Sequence, residues 1–125
     1  PTPAIGFATG IERIILNLKR QGVAVPGIPK PQIFIANIGA GTKDVAVKLT
    51  AGLRESGLGA LQATGEASLR AQLRKANTLG VHFSLIIGED ELKSRTAMLR
   101  DMASAAQESV PLADVERVLR DKLAA

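Results

Sequence analysis

The segment VHFSLIIG, residues 81–88, carries the strongest strand pattern in the chain. Three consecutive apolar residues, 85–87, are followed at once by Gly88. An unbroken apolar run of this length is typical of a strand that is covered on both faces. We therefore expect this segment to be a central strand of a sheet. The segments before and after it predict the rest of the fold.

Two strand and helix units precede this segment. Residues 33–38, IFIANI, have the pattern of a buried strand, and apolar residues recur at four-residue spacing after Gly41, as expected of a helix. Residues 59–63 predict a weaker strand. The helix that follows is capped by Thr64 or Ser68 and ends before Gly80.

Two further strands and a helix follow the central segment. Residues 96–101 and 107–110 have strand patterns, and the small residues 103–106 between them predict a turn. Pro111 then opens a final helix with an apolar stripe. The alternation predicts an α/β fold with three layers, α/β/α, in which three helices flank a mixed sheet of five strands.

The beginning of the chain predicts a separate unit. Residues 3–9 have an extended pattern, and the helical stripe that follows contains Ile11, Ile14, Ile15 and Leu18. Residues 22–31 are rich in proline and glycine and predict a linker. We therefore divide the chain into residues 1–21, the linker 22–31, and a domain over residues 32–125. The absence of Met at position 1 indicates a piece of a longer chain.

Composition excludes several classes of site. The 125 residues contain no cysteine and one histidine, His82, so a thiolate nucleophile and a cysteine or multi-histidine metal site are excluded. No apolar run is long enough to span a membrane, and the composition favours a cytoplasmic protein. The net charge of +4 suits a polyanionic partner, although many proteins with this balance bind none.

Residues 6–13, GFATGIER, resemble the third signature motif of class II aminoacyl-tRNA synthetases in its histidyl form, Gly-Phe-Ala-x-Gly-x-Glu-Arg, at every fixed position. The segments 68–72 (SLRAQ), 79–80 (LG) and 86–92 (IIGEDEL) are similar, in order and spacing, to the anticodon-binding domain of the same family. The resemblance implies a C-terminal fragment in which residues 1–21 are a strand and helix of the catalytic domain. Prolyl, threonyl and glycyl synthetases are similar in the C-terminal domain alone.

The first motif implies a role in forming an aminoacyl adenylate. By resemblance, Gly6, Gly10 and Arg13 bind ATP, with Arg13 on the γ-phosphate as the catalytic residue. A guanidinium suits this role because it stays charged and offers a planar fork of donors to phosphate oxygens. By the same resemblance, ATP is a substrate, with Mg²⁺, in the parent protein. We expect that this chain alone holds no cofactor or metal. We also expect that it does not catalyse aminoacylation by itself.

The second domain implies binding of a histidine-specific tRNA, in a parent that is a homodimer in this family. By resemblance, the anticodon surface lies at the loops that follow the first two strands, and the nominated residues are Gly39, Gly41, Thr42, Gly65, Glu66, Ser68, Arg70 and Gln72. Phe7, Phe34 and Phe83 are the only aromatic residues, and the last two lie in predicted strands. We therefore expect base reading to use polar and backbone groups rather than a stacking platform.

Two alternatives to an active histidyl synthetase remain open. Where the family often has Gly-Arg-Ser, this chain has Glu66, Ala67 and Ser68, which removes a cation from a nominated loop. Such changes also fit a synthetase-like paralogue with a regulatory role, or with RNA or protein binding, and no aminoacylation. A generic α/β ligand-binding module explains the fold but not the motif at residues 6–13.

Overall fold

A computed structural model describes residues 1–125. The chain forms five helices and five strands, in this order: α1 (Ile11–Arg20), β1 (Ile33–Asn37), α2 (Thr42–Glu55), β2 (Ala60–Gln62), α3 (Leu69–Leu79), β3 (Phe83–Ile87), α4 (Glu89–Ser94), β4 (Thr96–Asp101), β5 (Gln107–Pro111) and α5 (Val115–Ala124). A short 3-10 helix, Leu112–Asp114, connects β5 to α5.

The strands form one sheet in the order β2-β1-β3-β4-β5. The first three strands are parallel, whereas β4 and β5 are antiparallel to their neighbours. The predicted mixed sheet of five strands is therefore confirmed, with β3 at its centre. Strand β2 lies beside one edge of β1, and β3 lies beside the other edge. The crossover connections through α2 and α3 therefore diverge at the carboxyl end of β1.

One face of the sheet packs against α2 and α5. Its buried side chains alternate along the strands, with Ile33, Ile35, Leu85, Ile87 and Leu99 contributing to a core of fourteen buried residues. Leu53 and Leu119 complete this core from the two helices. Burial of these apolar side chains is the largest stabilising contribution in the domain.

The other face is covered only in part. Phe34 and Ala36 of β1 pack against Ala76 of α3 in a second, smaller core. No helix covers the same face of β4 and β5, where Met98 and Arg100 are half-buried. We call this uncovered surface the open face, and the strand register assigns to it Thr96, Met98, Arg100, Gln107 and Ser109.

Three sequence predictions need correction. Residues 3–9 form no strand, because no other strand pairs with them. A short helix, α4, lies where none was predicted, so four helices rather than three accompany the sheet. Pro111 ends β5 instead of opening the last helix, since the chain first makes a 3-10 helix.

Residues 1–30 are exposed throughout, including every residue of α1. Ile11, Ile14 and Ile15 of that helix are all exposed although they form an apolar stripe. The predicted helix is therefore present, but it packs against nothing in the chain. The division of the chain into a first unit, a linker and a second domain stays a prediction.

Candidate nucleic-acid interface

An open cleft lies at the carboxyl ends of β1 and β2, where the chain enters α2 and α3. We call it the switch-point cleft, and its volume is about 690 Å³. Ligands of open α/β sheets bind at this place because the two crossovers diverge there and leave a crevice. The residues that line the cleft are Asn37, Ile38, Gly39, Ala40, Lys43, Gly65, Glu66, Ala67 and Ser68.

The loop between β1 and α2 is held from two sides. Gly39 has φ of 96°, a conformation that favours glycine, and its carbonyl oxygen accepts a hydrogen bond of 2.8 Å from the Thr42 hydroxyl. The Ala40 N–H donates to Glu89 Oε1 of α4 at 3.0 Å. These bonds fix the backbone on one wall of the switch-point cleft.

The loop between β2 and α3 forms the other wall. Ser68 begins α3, and its side chain accepts a hydrogen bond from the Ala71 N–H at 3.3 Å, so Ser68 and not Thr64 caps this helix. Gln72 follows one turn later, is buried, and hydrogen-bonds to Asn37 and Ala67. The two walls are thus joined through α3.

The charges at the cleft are mixed. Lys43, in the first turn of α2, brings a cation to one wall, and Glu66 brings an anion to the other. The N-terminal ends of α2 and α3 also face this end of the sheet, and each carries a partial positive charge. The cleft therefore offers one cation for a phosphate and several polar and backbone groups for a base edge.

Four of the eight residues nominated for anticodon binding line the switch-point cleft: Gly39, Gly65, Glu66 and Ser68. Two others, Thr42 and Gln72, are buried, with Thr42 fully inaccessible. Gly41 is exposed beside Leu92, and Arg70 is exposed on α3 without lining the cleft. The roles of these residues stay predictions.

Sequence reasoning missed Lys43 as a member of this cleft, although Lys43 directly follows the nominated loop. It also missed Arg100 of the open face. The signal for Arg100 was available in the strand pattern: Ala97 and Leu99 are buried, so residues at even positions of β4 must face the opposite side. Arg100 pairs in register with Ser84 and Gln107 across the sheet.

No stacking platform accompanies either surface. Phe34 is fully buried and Phe83 nearly so, each in the core of a different sheet face. The third aromatic residue, Phe7, lies in the exposed segment before α1. To a base, the domain therefore offers hydrogen bonds from polar side chains and backbone groups rather than aromatic stacking.

The residues nominated for ATP lie apart from this cleft. Gly6, Gly10 and Arg13 are exposed, and the hollow beside Arg13 is lined only by residues of α1, including Arg20. No group of three or more His, Cys, Asp or Glu side chains that could hold a metal ion is present. The ATP-binding roles of Gly6, Gly10 and Arg13 stay predictions for the longer protein.

Asp101 ends β4 at the opposite end of the sheet from the cleft. Its Oδ1 accepts hydrogen bonds from the N–H groups of Ala103 and Ser104, at 2.8 and 2.9 Å. These bonds stabilise the carboxylate, and they lower the pKa of Asp101 below its usual 3.8. This side chain fixes the turn between β4 and β5.

The fold is a small α/β module with a cleft at the carboxyl ends of its parallel strands, and comparison with known proteins assigns the family. Residues 32–122 match the family model of the anticodon binding domain, and the chain belongs to that family. The match covers the whole sheet, α2 to α4 and most of α5, including both walls of the switch-point cleft.

The particular proteins that the chain resembles are histidine–tRNA ligases. It is 51% identical over 112 residues to the histidine–tRNA ligase of Dehalococcoides mccartyi, covering 90% of this chain and 27% of that protein. It is 42% identical over 123 residues to that of Pelotomaculum thermopropionicum, covering 98% of this chain and 29% of the relative. The chain thus spans less than a third of the curated relatives, and the resemblance inferred from its motifs is confirmed.

Solved structures agree with this assignment. The histidyl-tRNA synthetase of Nostoc sp. PCC 7120 superposes with a TM-score of 0.71 and 28% identity, covering 91% of this chain and 28% of that one. The RNA binding domain of the threonyl-tRNA synthetase of Cryptosporidium parvum has a TM-score of 0.68 at 20% identity, which shows the shared fold. None of the helices combines the length and apolar character needed to cross a membrane.

Proposed function

We propose that this chain binds the anticodon arm of a histidine-specific tRNA as part of a histidine–tRNA ligase. The observation that carries the proposal is the switch-point cleft in a domain of the anticodon-binding family, at the loops nominated from the sequence. The names of the relatives support the choice of amino acid, since they match 90% or more of this chain.

The cleft suits a single-stranded loop of RNA. Lys43 is exposed, so its ammonium can contact a backbone phosphate, a contact that requires charge but little geometry. Ser68 and Glu66 provide a hydroxyl and a carboxylate for base edges, and a carboxylate accepts hydrogen bonds from the amino groups of bases. Arg100 lies outside the cleft, on the open face, and offers a second cation there, with a planar fork that can contact either a phosphate or a base.

The catalytic part of the proposal concerns the longer protein. We propose that Arg13, with Gly6 and Gly10, contacts ATP there, in an enzyme that uses Mg²⁺ and acts as a cytoplasmic homodimer. The motif at residues 6–13 supports this assignment. The exposed apolar stripe of α1, which includes Ile14 and Ile15, is suited to packing against such a catalytic domain.

One observation favours a second candidate, a synthetase-like paralogue without aminoacylation. Glu66 places a negative charge in the cleft at a loop where the related pattern has a cation, and an anion there repels phosphate. Such a protein would bind RNA weakly or bind a different partner. Absence of sequence-specific RNA binding by this chain would favour the second candidate.

The test is a titration of the 125-residue chain with a histidine-tRNA anticodon stem-loop and with the same stem-loop carrying a scrambled anticodon. We expect tighter binding to the cognate loop at two salt concentrations. Phosphate contacts alone weaken with salt for both RNAs and give no preference. Equal binding to the two loops, or none, would refute anticodon reading and favour the paralogue.

A further inference from the structure

Gln72 joins the two walls of the switch-point cleft through its side-chain amide. Its Oε1 accepts a hydrogen bond from the Asn37 N–H at 2.9 Å, and its Nε2 donates to the Asn37 carbonyl oxygen, also at 2.9 Å. The second hydrogen of Nε2 is donated to the Ala67 carbonyl oxygen at 2.7 Å. Both donors are therefore used, and no side-chain hydrogen of Gln72 is free for a ligand.

The position of Asn37 in the sheet explains why these bonds are needed. Strand β2 ends at Gln62, which pairs with Ile35, and the Ala63 N–H still donates to the Ile35 carbonyl oxygen. Residues 35 and 37 point their backbone groups to the same side of β1, because the direction alternates along a strand. Asn37 therefore presents an N–H and a C=O toward a strand that has already turned away.

The amide of Gln72 occupies the place of the missing strand residue. It pairs with both backbone groups of Asn37, as a neighbouring strand would, and this allows the chain after β2 to leave the sheet and form the wall that contains Gly65 and Glu66. Gln72 is 3% exposed, so without it these backbone groups would be left without partners beside the cleft.

We propose that Gln72 is a positioning residue for RNA recognition, which fixes the β1–α2 and β2–α3 loops at the separation that the anticodon requires. This inference rests on the proposed function for its ligand. We call the hydrogen bonds of Gln72 to Asn37 and Ala67 the clamp, and its effect on the motion of the two loops can be measured without RNA. Gln72 binds no base. It acts through Asn37 and Ala67, each of which lines the cleft.

The first variant is Gln72→Met, which keeps the length of the side chain and removes its hydrogen bonds. The matched control is Thr50→Val, another buried polar side chain, whose hydroxyl bonds to the Ala46 carbonyl oxygen and to Gln62 outside the cleft. If Gln72→Met does not fold, Gln72→Asn replaces it, because its amide brings no charge into the buried position and, one methylene shorter, is drawn back from Asn37.

Two measurements on these variants separate the clamp from the ligand, both at a temperature where circular dichroism shows every variant folded. Amide exchange in residues 37–43 and 64–68 is expected to be about tenfold faster in Gln72→Met than in the wild type, because an unpaired strand end opens more often. Thr50→Val is expected to leave exchange in these two loops unchanged.

The second measurement is affinity for the cognate and scrambled stem-loops. We expect Gln72→Met to lose about tenfold in affinity for the cognate loop and little for the scrambled one, since loop geometry serves base reading rather than phosphate contact. Unchanged exchange in these loops would overturn the inference, and so would faster exchange with unchanged affinity for a cognate loop that the wild type binds. If the wild type binds neither RNA, the proposed function fails, and the exchange measurement alone then decides whether Gln72 is a clamp.

Discussion

A Cβ atom on Gly39 would lie 2.5 Å from Cγ of Glu89, so the loop after β1 and the start of α4 meet where no side chain fits. The same carboxylate accepts a hydrogen bond from the next residue, Ala40. Because Gly39 has no side chain, Glu89 of α4 can approach this loop closely and support this wall of the cleft.

We expect Gly39→Ala to destabilise the domain by about 2 kcal/mol, because alanine is strained at positive φ and Glu89 has to move. Gly52→Ala is the matched control, since Gly52 is exposed within α2 and a Cβ there meets nothing within 4 Å. That substitution should stabilise by about 0.5–1 kcal/mol. Urea unfolding measures both, and equal effects of the same sign would contradict the bracing role.

Lys43 is the cation of the switch-point cleft, and we expect Lys43→Ala to weaken binding of both the cognate and the scrambled stem-loop by the same factor. The slope of log affinity against log salt should fall by about 0.7 for the loss of one contact to a single-stranded phosphate. Lys48→Ala, an exposed position further along α2 that does not line the cleft, is the control. A loss confined to the cognate loop would assign Lys43 to a base instead.

Much of the fold could be predicted because its central strands are apolar and its turns contain glycine. Helix α4 was missed since Glu89–Ser94 contains a single apolar residue, Leu92, which gives no apolar stripe, and the helix depends on tertiary contacts. Residues 3–9 have the composition of a strand, but pairing decides whether a strand forms. Local sequence does not contain that information.

The site could be predicted only in part, and the reason differs between residues. Gly39 and Gly65 were found because loops after parallel strands meet at one sheet edge. Gln72 was nominated as an RNA contact, yet it lies three residues after Leu69 and four before Ala76, on the buried side of α3. That spacing indicated burial. Its partner Asn37 could not be predicted, because the end of β2 depends on the path of the chain.

Asp101 predicts a dependence of stability on pH. The hydrogen bonds from Ser104 and Ala103 lower the pKa of this carboxyl below 3.8, so the charged form is favoured in the folded chain. Its contribution is fully present above pH 3.8 and is lost as the pH falls through the lower, folded-state value. We expect the advantage of the wild type over Asp101→Asn to shrink below that pH. Urea unfolding over a pH series measures it, and a constant difference would argue against the role.

Arg100 tests whether the open face takes part in binding. Its side chain is half-buried on the sheet face opposite to the large core, in register with Ser84 and Gln107. We expect Arg100→Ala to lower affinity for the cognate stem-loop by about tenfold, the effect of losing one charge-assisted hydrogen-bonded contact. Titration with the labelled stem-loop at constant salt measures the change.

Two further variants separate charge, geometry and position at this site. Arg100→Lys keeps the charge, so recovery of affinity would indicate a phosphate contact, whereas continued loss would indicate that the planar guanidinium reads a base. Arg117→Ala removes an exposed arginine from α5, on the opposite side of the sheet, where it pairs with Asp114 and Asp121. If Arg117→Ala weakens binding as much as Arg100→Ala, the loss follows net charge, and the open face is not part of the interface.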